Sequence, residues 1–216
     1  MRLWSDSFRD GMPIPPEFSL CAIDPIKRVA FSDNKNPSLT WSDVPSSTRS
    51  FALICYDESA PSVADDVNQD GKRVRKVLPR AEFFHWVLID MPPDMHAIGA
   101  GQFSATLTAR GKPGPEVPGA PPMRHGVNDY TQWFKGDPDM EGSYCGYDGP
   151  CPPWNDDLVH RYIFTLYALD VDRLPVEGKF TGQQARAAMQ GHILAEARLT
   201  GTYTLDPGLG AHSQSS

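Results

Sequence analysis

Three runs constrain the fold more than any other feature of the chain: RSFALICYD from Arg49 to Asp57, FFHWVLIDM from Phe83 to Met91, and HRYIFTLYAL from His160 to Leu169. Each is too short for a membrane span, rich in aromatic and β-branched residues, and bounded on at least one side by turn-forming residues. That pattern predicts buried strands. Each run also carries a titratable group at its end or in its middle: Asp57, His85 and His160. A carboxylate or imidazole in an apolar segment carries a desolvation cost unless it finds a partner or faces a cleft. The three would form a polar pocket if the strands were neighbours. Taken singly, a strand histidine is more often a satisfied core residue, and a strand-closing aspartate more often a turn cap.

Weaker strand signals lie at Glu17 to Ala22, Ser38 to Ser42, Gln102 to Ala109 and Ala195 to Leu205. Helical pattern is scarce. The one strong candidate is Thr181 to His192, where Thr181 and Gln184 have the spacing of a capping box and Ala185, Ala187, Ala188 and Met189 suit a helix interior. Two stretches, 62–82 and 110–148, read as loops longer than compact domains usually carry, and such loops tend to serve function. With 216 residues, no internal repeat and one set of core strands, the reading is a single domain over 1–206 with a disordered tail at 207–216.

A net charge of −7 and a pI near 5.3, with no basic cluster, exclude a nucleic-acid backbone as the expected partner. No stretch reaches the length of a membrane span, and the first residues lack the basic start and apolar core of a secretory signal, so a cytoplasmic address and no integral membrane contact are expected. Cys21, Cys55, Cys145 and Cys151 lack metal-site spacing and are expected to be free thiols, with a local Cys145–Cys151 bond as the alternative in an oxidising compartment. No metal or cofactor is expected.

The run YDGPCPPWNDDLVHRY, 147–162, sets Gly149, Pro150, Pro152 and Pro153 just before the third strand. Prolines fix φ and remove amide donors, while glycine permits a close approach, so the run is either a plain strand stop or a stiff, preorganised pocket wall. Alternation along the strand puts His160 and Tyr162 on one side and Arg161 on the other. Arg161 is accordingly expected in a structural ion pair with a carboxylate such as Asp57 or Asp170.

These motifs together resemble the phosphatidylethanolamine-binding protein family, also called the Raf kinase inhibitor-like family, in its bacterial branch. NPSLTWSDVPSSTRSFALICYDESAP (36–61) is similar to the family's SPxLxWxxVPxxTxSFALxxxDPDAP segment, FFHWVLIDMP (83–92) to its HWxxxNIP strand, and YDGPCPPWNDDLVHRYIFTLYALD (147–170) to its YxGPxPPxGxxHRYxFxLYALD signature. GHILAEARLTGTY (191–203) fits its helix-to-strand ending. The resemblance implies a mainly β fold: two antiparallel sheets in Greek-key arrangement with short peripheral helices. It also implies an anion pocket for phosphate groups such as that of phosphorylethanolamine, lined by Asp57, His85, Pro152, Pro153, His160 and Tyr162, with Phe83 where relatives often carry tryptophan. A cis Ala60–Pro61 bond is expected by the same resemblance. The chain departs from the pattern at Glu58 and Ser59, which replace the proline and second aspartate of DPDAP, and at Asp90, which stands in an asparagine position.

A non-catalytic protein binding a small phosphate-bearing or other anionic ligand is therefore the leading expectation. Ser59, His85 and Asp57 supply the residue types of a hydrolase, although Ser59 lies in no nucleophile elbow. A third reading is an inhibitor of kinases or other proteins, with Tyr130, Trp133 and Phe134 on the long loop offering a surface to a protein partner or a second copy. The alternative for those aromatics is packing onto their own sheet.

Overall fold

In the computed structural model, which describes residues 1–210, the three apolar runs form the centre of one antiparallel sheet. The strands are β1 (Arg2–Trp4), β2 (Cys21–Asp24), β3 (Arg28–Phe31), β4 (Leu39–Ser42), β5 (Ser50–Pro61), β6 (Arg80–Met91), β7 (Ala97–Ile98), β8 (Arg124–His125), β9 (His160–Leu169) and β10 (Ile193–Tyr203). Helical pieces are α1 (Tyr130–Trp133), α2 (Gly182–Met189) and α3 (Pro207–Gly210), with a 3-10 turn at Pro16–Phe18. The large sheet runs β10-β9-β5-β6-β8, a small sheet runs β1-β4-β7, and β2-β3 forms a separate ribbon. The chain leaves β8 and crosses back to place β9 beside β5, so the expected mainly β, antiparallel Greek-key architecture holds, with the ribbon added.

The large sheet is buried on both faces. Phe51, Leu53 and Cys55 of β5 and Tyr162, Phe164 and Leu166 of β9 face the small sheet, where they meet Leu39 and Trp41. The alternate residues Ala52, Ile54, Tyr167 and Leu169 face Ala185 and Met189 of α2 together with Leu174 and Phe180. Burial on both sides explains why these strands read as continuous apolar runs with little polar alternation. Helix α2 begins at the expected box: Gln184 N donates to Thr181 Oγ1 at 3.3 Å and Thr181 N donates to Gln184 Oε1 at 2.9 Å. Its Gly182, Ala185 and Met189 form the stripe turned to the sheet.

Strand β6 is interrupted twice. Cys55 pairs with Trp86 but Tyr56 pairs with Phe84, which leaves His85 as the extra residue of a bulge. The second irregularity, between Phe51↔Met91 and Leu53↔Leu88, contains Asp90 at φ 59°. Bulges re-aim side chains, and here His85 turns to the same side as Trp86 and Phe83.

Several expectations are corrected. Gln102 to Ala109 forms no strand, because the Phe103 and Ser104 amides donate to the Asn36 side-chain oxygen at 2.8 and 3.0 Å and have no need of a ladder. Glu17 to Ala22 divides into the 3-10 turn and the start of β2. Ala60–Pro61 is trans: Pro61 ends β5 in extended pairing with Arg80, and among the described residues the cis bonds are Gly114–Pro115 and Pro121–Pro122. Cys21 and Cys151, 130 residues apart, form a disulfide, so neither four free thiols nor a Cys145–Cys151 bond is present. The ribbon start at Cys21 lies against the proline run, where Leu20 N and Cys21 N both donate to Pro150 O at 2.9 and 3.1 Å. Of the tail expected to be disordered, 207–210 forms a helical turn and 211–216 lies outside the described residues.

Candidate functional site

At the end of the sheet where β5, β6 and β9 run together lies a cavity of about 260 Å³. Asp57, Phe83, His85, Pro152, Pro153, His160 and Tyr162 all line it, so every site residue expected from the sequence is brought together. Pairing places Asp57 opposite Phe83 on one side and Tyr162 on the other, and a bulge at Glu58 and Ser59 flanks it. The register of three adjacent strands thus sets the floor.

His160 is held on both ring nitrogens. Its Nδ1 lies 2.6 Å from Asp57 Oδ2 and its Nε2 lies 3.1 Å from Asp156 Oδ2. Carboxylates only accept, so both nitrogens carry protons and the ring is an imidazolium. Burial alone would depress its pKa, but the Asp57 charge and the hydrogen bonds with Asp156 and Asp57 raise it to about 9. Asp156 is in turn gripped by Arg80 through two bonds of 2.5 and 3.0 Å. Burial pushes the Asp156 pKa up, and the bonds from His160 and Arg80 outweigh it, so the net shift is downward. Two carboxylates thus face two cations in a row, Asp57–His160–Asp156–Arg80.

His85 is held differently. Its Nδ1 donates to Asp148 O at 2.7 Å, and Asp148 N donates back to His85 O at 3.1 Å. Burial lowers its pKa despite the nearby Asp57 and Asp148 charges, which keeps the ring neutral at neutral pH with its Nε2 lone pair bare. The ring packs edge-on against Tyr130 and Tyr162 at 5.4 and 5.1 Å and lies 5.0 Å from Phe83.

Asp148 is fully buried and organises the wall behind His85. Its carboxylate accepts from Asn34 Nδ2 at 2.8 Å, Lys112 Nζ at 2.7 Å and Asn128 Nδ2 at 2.8 Å. Asn34 Oδ1 then accepts from Gly149 N at 2.8 Å, and Tyr130 donates its hydroxyl to Gly149 O at 2.8 Å. A Cβ at Gly149 would overlap Phe18 O, so only glycine permits this approach. With the Cys21–Cys151 bond, the GPCPP run is a wall fixed at every turn, and Cys151 itself lines the cavity.

The upper rim is apolar: Pro61 at the end of β5 and Val63, Ala64 and Val67 from the loop after it stand beside Trp133. Val63 and Trp133 are each 49% exposed. The loop is pinned through Asn155, whose Nδ2 donates to Asp66 O and Lys72 O and whose Oδ1 accepts from Asn68 N. Of the three loop aromatics expected either at a contact surface or against the sheet, Tyr130 is buried and Phe134 stacks on it at 5.6 Å, while Trp133 remains at the rim.

Arg161 points away from the cavity as expected, but its partner is Glu58 at 2.9 Å and not Asp57 or Asp170. Ser59 does not join a triad. Its Oγ accepts from Arg161 N at 3.2 Å, it does not line the cavity, and among the described residues no hydrogen bond links it to His85. Sequence reasoning missed Asp148, Asp156, Arg80, Asn34 and Lys112. The only signal was that Asp148 and Asp156 stand within the quoted proline-rich run.

Among the described residues no group of three or more metal-ligating side chains is placed to hold an ion, and no helix is long and apolar enough to cross a membrane.

Comparison with known proteins agrees with this fold. A family model described as phosphatidylethanolamine-binding protein matches residues 4–204. The UPF0098 protein YbhB of Escherichia coli K12 is 30% identical over 206 residues, covering 94% of this chain and 100% of that protein. A UPF0098 protein of Chlamydia pneumoniae is 33% identical over 94% of this chain and 98% of its own. Among solved structures, a phosphatidylethanolamine-binding protein homologue from Chlamydia trachomatis superposes with a TM-score of 0.60 at 29% identity, covering 94% of this chain and 95% of that one. Escherichia coli YbcL, at 22% identity and a TM-score of 0.65 over 94% and 97% of the two chains, shares the fold. With the family model matched over residues 4–204 and relatives at 30% identity or more along nearly their whole length, the chain belongs to the phosphatidylethanolamine-binding protein family.

Proposed function

We propose that the cavity binds the phosphate-type group of a small ligand and that the chain acts through binding, without turnover. One observation carries this reading. Several buried side-chain polar atoms lack a partner among the described residues, and of these only the Tyr162 hydroxyl belongs to a residue lining the cavity. A buried donor left unpaired is costly, and an occupant of the cavity can satisfy it. The His160 imidazolium beside it supplies fixed positive charge, and the proline wall costs little entropy to order. The apolar rim of Val63, Val67 and Trp133 leaves room for a nonpolar portion of the ligand above the polar floor.

Calorimetric titration with phosphorylethanolamine tests the reading. Tyr162→Phe removes the hydroxyl alone and is expected to weaken binding about tenfold, the equivalent of one hydrogen bond to a charged acceptor. Unchanged affinity in Tyr162→Phe, or no binding to the parent protein, refutes it.

A further inference from the structure

The floor is oddly supplied for an anion site. Asp57 presents a carboxylate, His85 presents the bare lone pair of Nε2, and Tyr162 has a buried hydroxyl without a partner among the described residues, while Ser62 and Asn68 line the cavity as well. His160 lines the cavity, but both of its N–H groups are spent on Asp57 and Asp156. The Nδ1–H of His85 cannot move to Nε2 without breaking the 2.7 Å bond to a carbonyl, which only accepts. On the floor a fully ionised phosphate would therefore meet a lone pair and a carboxylate, with the Tyr162 hydroxyl as its one donor there.

Resting on the reading above, we propose that the cavity takes its phosphate group only together with one proton, shared between the ligand oxygen and His85 Nε2. The proton either stays on the ligand as P–OH donating to Nε2 or resides on Nε2 and is donated to a ligand oxygen. Both forms have the same stoichiometry.

The groups facing His85 are consistent with this economy. Asp57 from β5 and Asp148 from the wall are anionic, and His160 from β9 is cationic. Tyr162 from β9 and Tyr130 from α1 are neutral, and Phe83 on its own strand is apolar. Lys112 reaches the ring only through Asp148. Burial is the largest influence and lowers the His85 pKa, so the extra proton is absent until a ligand arrives. Phosphate monoesters lose their second proton near pH 6, so at higher pH the proton must come from solvent.

The test is calorimetry of phosphorylethanolamine in buffers of differing ionisation enthalpy. At about pH 8 uptake of about one proton per ligand is expected, falling towards zero at about pH 5, with affinity dropping about tenfold per pH unit on the alkaline side. In His85→Gln, whose side-chain amide can donate to a dianion unaided, affinity at about pH 5 is expected to fall, and the proton uptake and the alkaline decline seen in the parent protein at about pH 8 should vanish. Binding without proton uptake in the parent protein, or undiminished uptake in His85→Gln, overturns the inference and leaves the binding reading intact. Absence of binding at either pH overturns both.

Discussion

Asp57 and Asp156 approach the His160 ring from opposite edges, at 2.6 Å from Nδ1 and 3.1 Å from Nε2, so one imidazolium bridges a core strand and the acidic turn that precedes its own strand. The bridge ties the cavity floor to the loop that Arg80 anchors.

A pH profile of stability follows from this bridge. His160 has its pKa raised to about 9, above the ordinary 6.5. Its contribution is complete below about pH 6.5 and lost as pH rises through about 9. His125 behaves oppositely: burial lowers its pKa to about 4, so stability falls as pH drops from 6.5 towards that value. Each shift corresponds to about 3 kcal/mol. Thermal denaturation across pH should peak near pH 6.5, and His160→Ala should flatten the alkaline limb. An unchanged alkaline limb in that variant would refute the assignment.

Asp148→Ala should be among the most damaging substitutions outside the apolar core. It leaves the half-buried ammonium of Lys112 and two buried amides without their acceptor, a loss of about 3 kcal/mol, the lower end for a broken buried ion pair. Urea denaturation reads this directly. A cost below about 1 kcal/mol would mean that solvent replaces the carboxylate.

Thiol counting checks the cysteine pairing. Denatured without reductant, the protein should show two reactive thiols, Cys55 and Cys145, and after reduction four. Cys151→Ser should cost about 2–5 kcal/mol, since the bond closes a long loop. The bond overturns the free-thiol expectation and pulls against the cytoplasmic address expected from the first residues, because a reducing compartment keeps most thiols unpaired.

Gly182→Ala should destabilise the fold even though alanine is the better helix former. A Cβ at position 182 would overlap the Phe84 ring, because α2 lies directly on the sheet at its first turn. The expected loss is about 1–3 kcal/mol by overpacking, and a gain in melting temperature would contradict that docking.

The strands were legible because burial on both faces writes itself into composition: β9 coincides with the run from His160 to Leu169. The capping box at Thr181 was legible because it is local. The site residues were recoverable because they sit on those strands or in the proline run. What could not be read depends on contacts without sequence period. Asp148 meets Asn34 and Lys112 across separate loops, Cys21 meets Cys151 across most of the chain, and Arg161 finds Glu58 because a bulge turns that residue outward. Strict alternation also gives no warning of the bulge that aims His85.

That bulge makes the length of β6 a matter of phase. From Trp86 to Ile89 the strand runs one step out of alternation with Phe83 and Phe84, and the second irregularity at Asp90 brings it back. Removing His85 would only take out the bulge and leave Trp86 and Leu88 on one face, whereas removing a paired residue between the two irregularities, such as Val87, would trade Leu88 and Ile89 between the two faces. An indel between the two irregularities therefore disturbs both faces at once, and libraries that vary β6 there should hold its residue count constant.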